Sequence, residues 1–344
     1  MNERKYVELK LCFMGLGSVG RELIKLLDRK RDDVQAEYDL SFKIVGIATG
    51  KHGILIDPNG IDHAYALSGQ WTDRVWPSTE ENRIKMIHEC GADALVEMSP
   101  INRDTGRPAL DYLELALTLG MHAITANKGP VVHGYRHLNA LAKQQGKAFL
   151  FEATVMDGFP LLNLYRECLP ATRVTGFRGV LNSTTNLILT LMEEGKSFDE
   201  AVQHAQNIGI AETDPSNDID GWDAAVKVCV LSNVLLGADI RPTDVDRTGI
   251  RGITSKMIKH AASRQRKYRL ICSSQWEDGT IKARVAPEEV PPDDPAYRLP
   301  GTTSVVQLRT DTLNQLTLLE TAPTPAQTAF GVLADLISAV RGHY

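Results

Sequence analysis

Apolar positions along the chain change period at intervals, and the changes outline a fold. Lys10–Met14 (KLCFM) is a short apolar run ending at Gly15, which predicts a buried strand. Val19, Leu23, Leu26 and Leu27 then recur at helical spacing, and Phe42–Ala48 (FKIVGIA) predicts a second strand. Such a β-α-β opening predicts a doubly wound parallel sheet. Further on, strands are predicted over Ala94–Met98 and His122–Thr125 and helices over Ala109–Leu119 and Leu138–Gln145. Ala148–Glu152 closes a first, dinucleotide-binding-like domain over residues 1–150.

The middle of the chain reads differently. Helices are predicted over Leu161–Cys168, Thr185–Glu193, Phe198–Ile208 and Trp222–Leu236. Beyond Asp244, strand-like pieces at Tyr268–Ser273, Thr280–Val285, Ser304–Thr310 and Leu316–Leu319 alternate with turns. Glu288–Pro300 is Pro-rich and predicts a loop. Thr328–Val340 predicts a last helix, and residues 321–344 are expected to pack back on the first domain. The fold class is therefore α/β: a Rossmann-like doubly wound parallel sheet plus an α+β catalytic and dimerisation domain over 151–320.

Composition narrows the classes of function. The 344 residues are 43% hydrophobic and 24% charged with a net charge of −5, which leaves no basic footprint for nucleic acid or an anionic membrane. No apolar run approaches the length of a membrane span. Cys12, Cys90, Cys168, Cys229 and Cys272 are scattered and form no CxxC, as expected of reduced thiols in a cytoplasmic protein. The charged start, MNERKYVELK, lacks the apolar core of a signal peptide.

The first candidate site is Gly15-Leu16-Gly17-Ser18-Val19-Gly20, a GxGxxG between a strand and a helix. Its first glycine would make a tight turn, its second would let a pyrophosphate approach the backbone, and its third would let helix and strand pack closely. Ser18 and Val19 complete the cofactor-binding turn. An acidic residue after the second strand would favour NAD. The chain instead has Thr49, Gly50, Lys51 and His52, and Thr49, Lys51 and His52 would suit the 2′-phosphate of NADP, the favoured cofactor.

The second candidate site is Ala205–Lys227, which crowds Glu212, Asp214, Asp218, Asp220 and Asp223 around a turn and then starts an apolar helix carrying Lys227. A lysine among Val226, Val228, Cys229, Val230 and Leu231 is a candidate proton donor for an alkoxide. Burial disfavours its charged form, whereas Asp223 one turn earlier favours it. Lys128 follows a strand at the edge where doubly wound sheets bind ligands. The carboxylates do not fit a calcium loop, because aligning Gly221 to the loop's glycine puts Lys227 where a bidentate glutamate is needed. Holding a small cationic substrate suits them better.

These residues carry a resemblance. The spacing of Ala205, Gly209, Ile210, Ala211, Asp214, Pro215, Asp218, Ile219, Gly221, Asp223 and Lys227 is similar to the signature of the homoserine dehydrogenases. Supporting blocks are Thr125–Pro130, Glu152–Val155 and Leu181–Asn186, and the resemblance runs from Leu11 to about Val340. It implies NAD(P)-dependent, reversible reduction of aspartate 4-semialdehyde to homoserine, a step of threonine and methionine biosynthesis, by a short form without aspartate kinase or ACT domains. Lys227 would be the catalytic lysine, assisted by Asp223, and Lys128 the second active-site lysine. Glu212, Asp218, Asp223, Ser183 and Thr184 would meet an amino-acid substrate. Gly17, Ser99, Pro100, Asn127 and Lys128 would meet the cofactor. Glu152, Val155, Asp157 and Phe159 would form a monovalent-cation site, and the chain would pair as a homodimer.

Three segments depart from the family pattern: Met156–Pro160 where relatives are often Gly-rich, Ser183 in place of glycine, and Thr321–Ala326 in place of a Gly-Pro-Gly-Ala-Gly-like loop. They keep open a related dehydrogenase of another small hydroxy or oxo acid. A dinucleotide-binding sensor without catalysis is a further alternative, against which intact Lys227, Asp223 and Lys128 argue.

Overall fold

The computed structural model describes residues 6–72 and 75–342. The chain falls into two compact units: one runs to Glu167 and takes in the chain again from Thr324, and the other is Cys168–Pro323.

The first unit opens with β1 (Val7–Met14), α1 (Ser18–Arg29), α2 (Arg31–Tyr38) and β2 (Leu40–Ala48). It continues with β3 (Ile54–Ile56), α3 (His63–Ser68), β4 (Val75–Trp76), α4 (Glu80–Glu89) and β5 (Ala94–Glu97). Then come α5 (Ala109–Thr118), β6 (His122–Thr125), α6 (Lys128–Gln145), β7 (Phe149–Leu150) and a short α7 (Leu161–Asn163). Among the described residues these strands form one sheet in the order β4-β3-β2-β1-β5-β6-β7. From β2 to β7 the pairing is parallel. The expected all-parallel sheet needs one correction: β3 and β4 pair antiparallel at the β2 edge. Only a short turn separates Ala48 from Ile54, too little for the crossover a parallel neighbour requires. The strand order reverses beside β1, so the segments after β1 and β5 line the carboxyl-edge crevice where such sheets take ligands.

The second unit holds β8 (Val174–Val180), α8 (Ser183–Glu193), α9 (Phe198–Asn207), α10 (Ser216–Ile219) and α11 (Trp222–Leu235). After them come β9 (Asp246–Arg247), α12 (Ser255–Ser263), β10 (Lys267–Glu277), β11 (Thr280–Val290), β12 (Ser304–Thr310) and β13 (Gln315–Glu320). Their sheet has the order β13-β12-β8-β10-β11-β9. β8, at its centre, has no counterpart among the predicted strands, because Gly176 and Gly179 break its alternation. A side chain at Gly179 would collide with the Val305 carbonyl of β12, so the glycine is what lets the two strands lie so close. The predicted Glu288–Pro300 loop begins later than expected, since β11 runs on to Val290 through Pro287. β9 pairs only with Arg284 and Val285, so Pro287 lies past that neighbour and its missing N–H costs no ladder bond there. α11 is apolar on nearly every face and packs against β10 and β11.

α13 (Pro325–Arg341) belongs to the first unit, where it packs on α1. Val332, Leu333 and Leu336 join Leu23, Ile24 and Leu27 of α1 and Leu11 and Phe13 of β1 in one buried cluster. Thr324 caps this helix and Pro325 starts it, a preorganised N-terminus built by the departing segment noted above.

Candidate functional site

In the first unit, the three glycines of the GxGxxG turn meet three different constraints. Gly15 has φ +106°, and a Cβ there would lie 2.7 Å from the Met98 carbonyl oxygen. It is the pivot that carries the chain across the end of β5. Gly20 is buried, with the Gly15 carbonyl 3.1 Å from where its Cβ would be. Gly17 is exposed, a Cβ there would meet nothing within 4 Å, and it caps α1 without a side-chain hydrogen bond. The open space above Gly17 and the uncapped first turn of α1, where Ser18 and Val19 sit, together fit a dinucleotide pyrophosphate.

The segment after β2 is folded back on itself. Thr49 is buried, and its hydroxyl accepts the His52 N–H at 2.8 Å, closing the turn into β3. Its N–H donates to the Gly53 carbonyl at 2.9 Å. The His52 ring tilts against Trp71 with centroids 5.7 Å apart, and Lys51 is exposed. Of the three residues assigned to a 2′-phosphate, Thr49 is thus committed to the turn, and Lys51 is the cation that stands in solvent.

The ends of β5 and β6 are tied together. Glu97 is fully buried and pairs across the sheet with Thr125. Its Oε1 accepts the Ser99 N–H at 2.8 Å and the Ser99 hydroxyl, and its Oε2 accepts the Thr125 hydroxyl at 3.1 Å. Burial pushes the Glu97 carboxyl up to about 7, against the pull of those hydrogen bonds. Asn127 caps α6 by accepting the Gly129 N–H at 2.9 Å, and its amide donates to the Ser99 carbonyl at 3.2 Å and to that of Pro100 at 3.4 Å. Lys128 is the first residue of α6, which begins ten residues before the predicted helix. Ser99, Pro100, Asn127 and Lys128 are therefore one braced group. Glu97 is the member that sequence reasoning did not single out.

In the second unit the acidic segment divides. Asp223 and Lys227 lie one turn apart on α11, with Lys227 Nζ 3.0 Å from Asp223 Oδ2 and their side chains only 17% and 15% exposed. Lys227 also donates to the Leu181 carbonyl at 2.7 Å. Asn182, the cap of α8, donates from Nδ2 to Asp218 Oδ1 at 2.7 Å and to Asp223 Oδ2 at 3.0 Å. Burial and the neighbouring Asp223 push the Asp218 carboxyl up, while Asn182, Lys227 and Thr184 hold it down. Thr184 is buried at the second position of α8, after Ser183.

The other carboxylates of the segment serve the fold. Asp214 accepts the Ser216 N–H at 3.0 Å, and Asp220 forms a two-pronged pair with Arg251 at 2.8 and 3.0 Å. Glu212 is exposed, its backbone carbonyl held by Gln206 at 3.1 Å, and the structure does not bring it into the hydrogen-bonded group. Asn182 lies within the Leu181–Asn186 block, and the resemblance gives it no role. Its type is the commonest of helix caps, which hides a second use.

The candidate cation segment is occupied by its own protein contacts. The buried Glu152 carboxylate accepts the Leu162 N–H at 2.8 Å and that of Asn163, and burial pushes it up to about 7. The Phe159 carbonyl accepts the Leu161 N–H at 2.7 Å, and Asp157 accepts the Thr328 hydroxyl at 2.8 Å. Met156 and Asp157 both take left-handed backbone angles, φ +57° and +49°, where relatives are expected to have glycine. Glu152, Asp157 and Phe159 thus act as fasteners of the turn, and Val155 is buried beside them in sequence. No cluster of His, Cys, Asp or Glu suited to a metal occurs among the described residues. No helix among them is long and apolar enough to cross a membrane.

Comparison with known proteins bears on the whole arrangement. The homoserine dehydrogenase family model matches residues 160–337. The chain is 33% identical over 336 residues to the NAD(+)-dependent homoserine dehydrogenase of Pseudomonas canavaninivorans, covering 96% of each chain. It is 36% identical over 335 residues to the homoserine dehydrogenase of Methanocaldococcus jannaschii, covering 96% of this chain and 98% of that one. Its fold is similar to a hyperthermophilic archaeal homoserine dehydrogenase solved in complex with NADPH, with a TM-score of 0.82 at 27% identity over 97% of this chain and 98% of that one.

Proposed function

This chain belongs to the homoserine dehydrogenase family, and from that premise we propose which of its residues carry the reaction. It is an NAD(P)-dependent oxidoreductase acting on a CH–OH group, interconverting L-homoserine and L-aspartate 4-semialdehyde. Lys227 is the acid and base. The observation that carries this assignment is its sequestered ammonium, aimed by the Leu181 carbonyl at 2.7 Å and Asp223 at 3.0 Å. In reduction Lys227 gives its proton to the carbonyl oxygen as that oxygen becomes an alkoxide. In oxidation the neutral amine takes the hydroxyl proton back.

Asp218 and Asp223, held side by side by Asn182, offer acceptors for the substrate ammonium. Thr184, beside Asp218, narrows the same place, and Ser183 precedes it at the start of α8. Glu212 is the least supported of the proposed substrate contacts, because it stands exposed.

The nicotinamide dinucleotide, when bound, supplies or accepts the hydride. Gly15, Gly17, Ser18, Val19 and Gly20 would hold its pyrophosphate, and Ser99, Pro100, Asn127 and Lys128 its far end. NADP is the proposed partner. The support is the lack of a carboxylate after β2 and the exposed cation of Lys51 there. A monovalent cation at Glu152, Val155, Asp157 and Phe159 is proposed on the resemblance alone: Glu152, Asp157 and Phe159 already accept protein hydrogen bonds, and no proton or hydride step needs the ion. Pairing of two copies through the second unit is proposed on its exposed Trp276, Leu313 and Leu319, and light scattering of the purified protein tests it.

Initial rates of L-homoserine oxidation with NADP and with NAD, read at the reduced-nicotinamide band, test the reading. A kcat/KM higher with NADP supports the cofactor proposal, and a higher value with NAD refutes it. Retained turnover in a Lys227→Ala variant would refute the acid.

A further inference from the structure

Two adjacent parallel strands, β5 and β6, end in loops that a ring of hydrogen bonds joins. Glu97 is the ring's base. The Ser99 N–H donates to Glu97 Oε1 at 2.8 Å, and the Ser99 carbonyl accepts from the Asn127 amide at 3.2 Å. The Asn127 N–H donates to the Thr125 hydroxyl oxygen at 2.9 Å, and the Thr125 hydroxyl donates to Glu97 Oε2 at 3.1 Å. The circuit closes through four residues; the Thr125 hydroxyl, whose nearest acceptor is Oε2, also lies 3.2 Å from the Glu97 backbone carbonyl and 3.5 Å from that of Asn127. Glu97 and Thr125 are register partners, so the brace is set by the sheet itself. Asn127 passes the constraint on, because it caps α6 at Gly129 and is followed at once by Lys128.

A carboxylate fully shut off from water at the end of an apolar strand is costly unless its acceptors are used. Here both oxygens are used, and by two loops, not one. The Ser99 side needs an acceptor for its N–H and its hydroxyl, and the Thr125 side needs an acceptor because its oxygen already takes the Asn127 N–H. A carboxylate, with two acceptor oxygens, reaches both sides at once.

We propose that Glu97 is a positioning residue for dinucleotide binding: through this ring it fixes the Ser99–Pro100 and Asn127–Lys128 segments at the spacing the cofactor requires. The inference rests on the reading of those segments as cofactor contacts. It assigns Glu97 no direct contact with cofactor or substrate.

Glu97→Gln tests it. The glutamine keeps the volume and one oxygen but puts an NH2 where the second acceptor was. Either it faces the Ser99 N–H, donor against donor, or it faces a Thr125 oxygen that already accepts Asn127. The expected result is a KM for cofactor, and a dissociation constant for the reduced cofactor read by its fluorescence, raised about tenfold. The KM for homoserine should change less than about twofold, because the ring does not include Asp218, Asp223 or Lys227. A role confined to folding would lower the amount of active enzyme and leave both KM values alone. An unchanged cofactor constant in Glu97→Gln overturns the proposal. Should that variant not fold, Thr125→Val removes the Oε2 limb together with the acceptor for the Asn127 N–H, and the same two readouts decide. Gly17→Val is the control for the underlying reading. If it leaves cofactor binding intact, the cofactor site itself is misassigned and the proposal falls with it. If it abolishes binding while Glu97→Gln does not weaken it, the ring alone is wrong.

Discussion

Asp218 and Asp223 share one donor group: the Asn182 amide nitrogen lies 2.7 Å from Asp218 Oδ1 and 3.0 Å from Asp223 Oδ2. Two largely buried carboxylates in one place repel each other, and the neutral amide between them, with the Lys227 ammonium on the same Asp223 oxygen, is what keeps them together. The same Asn182 accepts the Thr185 N–H at 2.9 Å and so caps α8.

Those two uses of Asn182 can be separated. Asn182→Ala removes both, and should lower stability by about 1–3 kcal/mol in urea unfolding. Asn182→Asp keeps an acceptor for the cap but replaces the donor with a third carboxylate. We expect Asn182→Asp to lose about tenfold or more in kcat/KM for homoserine, with a smaller stability loss than Asn182→Ala and an unaltered cofactor KM. Equal activity loss in proportion to stability in both variants would mean that Asn182 is a cap and nothing more.

Lys227→Ala should cut kcat by about a thousandfold, the scale of a lost general acid. Cofactor affinity should stay within about twofold, since Lys227 is assigned to proton transfer and not to any of the proposed cofactor contacts. Steady-state rates with homoserine and a fluorescence titration with the reduced cofactor provide the two numbers. A kcat within a few-fold of the parent would remove Lys227 from the chemistry.

Much of this site was legible because its signals are local. Gly15, Gly17 and Gly20 carry their meaning in spacing, and Asp223 with Lys227 is a helical i,i+4 pair that sequence alone reveals. The division of the acidic segment was not legible. Asp214 and Asp220 look like Asp218 until Ser216 and Arg251 are seen to claim them. Glu97 is one position within the predicted Ala94–Met98 strand, and its meaning depends on Thr125, a partner from the neighbouring strand. β8 was hidden for a related reason. Gly176 and Gly179 lower strand propensity, and the close approach to β12 that requires Gly179 exists only after the sheet has formed. α6 starts ten residues before the predicted helix, through Gly129 and Pro130, which have low helix propensity, although proline is well tolerated in the first turn of a helix, as here.

Gly15 and Gly17 belong to one motif and should fail in different ways. Gly15→Ala places a Cβ at φ +106° and 2.7 Å from the Met98 carbonyl, so it should cost roughly 2–4 kcal/mol of stability. Gly17→Val meets no neighbour within 4 Å of its Cβ and should cost only about 1 kcal/mol, the scale of a poorer cap. Cofactor binding should nevertheless fall at least about tenfold in Gly17→Val, because the side chain fills the space a pyrophosphate needs. Thermal unfolding and cofactor titration of the two variants check the contrast, and loss of stability in both to the same degree would contradict it.

The buried carboxylates set a pH dependence of stability. Glu97 and Glu152 are both pushed from an ordinary carboxyl value up to about 7 by burial, and Asp335 is raised well above its usual range by burial and by the nearby Glu152. Asp335 is wholly buried, accepts the Glu152 N–H at 2.8 Å through Oδ2, and has no partner at Oδ1. A raised carboxyl holds its proton in the folded state at a pH where the unfolded chain has lost it. Its stabilising contribution is therefore complete below the unfolded value and fades as pH rises through the folded one. His122 acts in the opposite sense at lower pH: burial depresses it to about 4, so stability is lost as pH falls below its unfolded value of 6.5. Above that value His122 no longer contributes, and the melting temperature should fall as pH rises from 6.5 through about 7, the folded value of Glu97 and Glu152. Asp335→Asn keeps the acceptor for Glu152 and cannot ionise. It should melt higher than the parent at pH 8, by roughly 2–4 °C for each 1 kcal/mol recovered, with the gain shrinking toward pH 6. Melting curves of the two proteins that run parallel across this range would show that Asp335 does not titrate there.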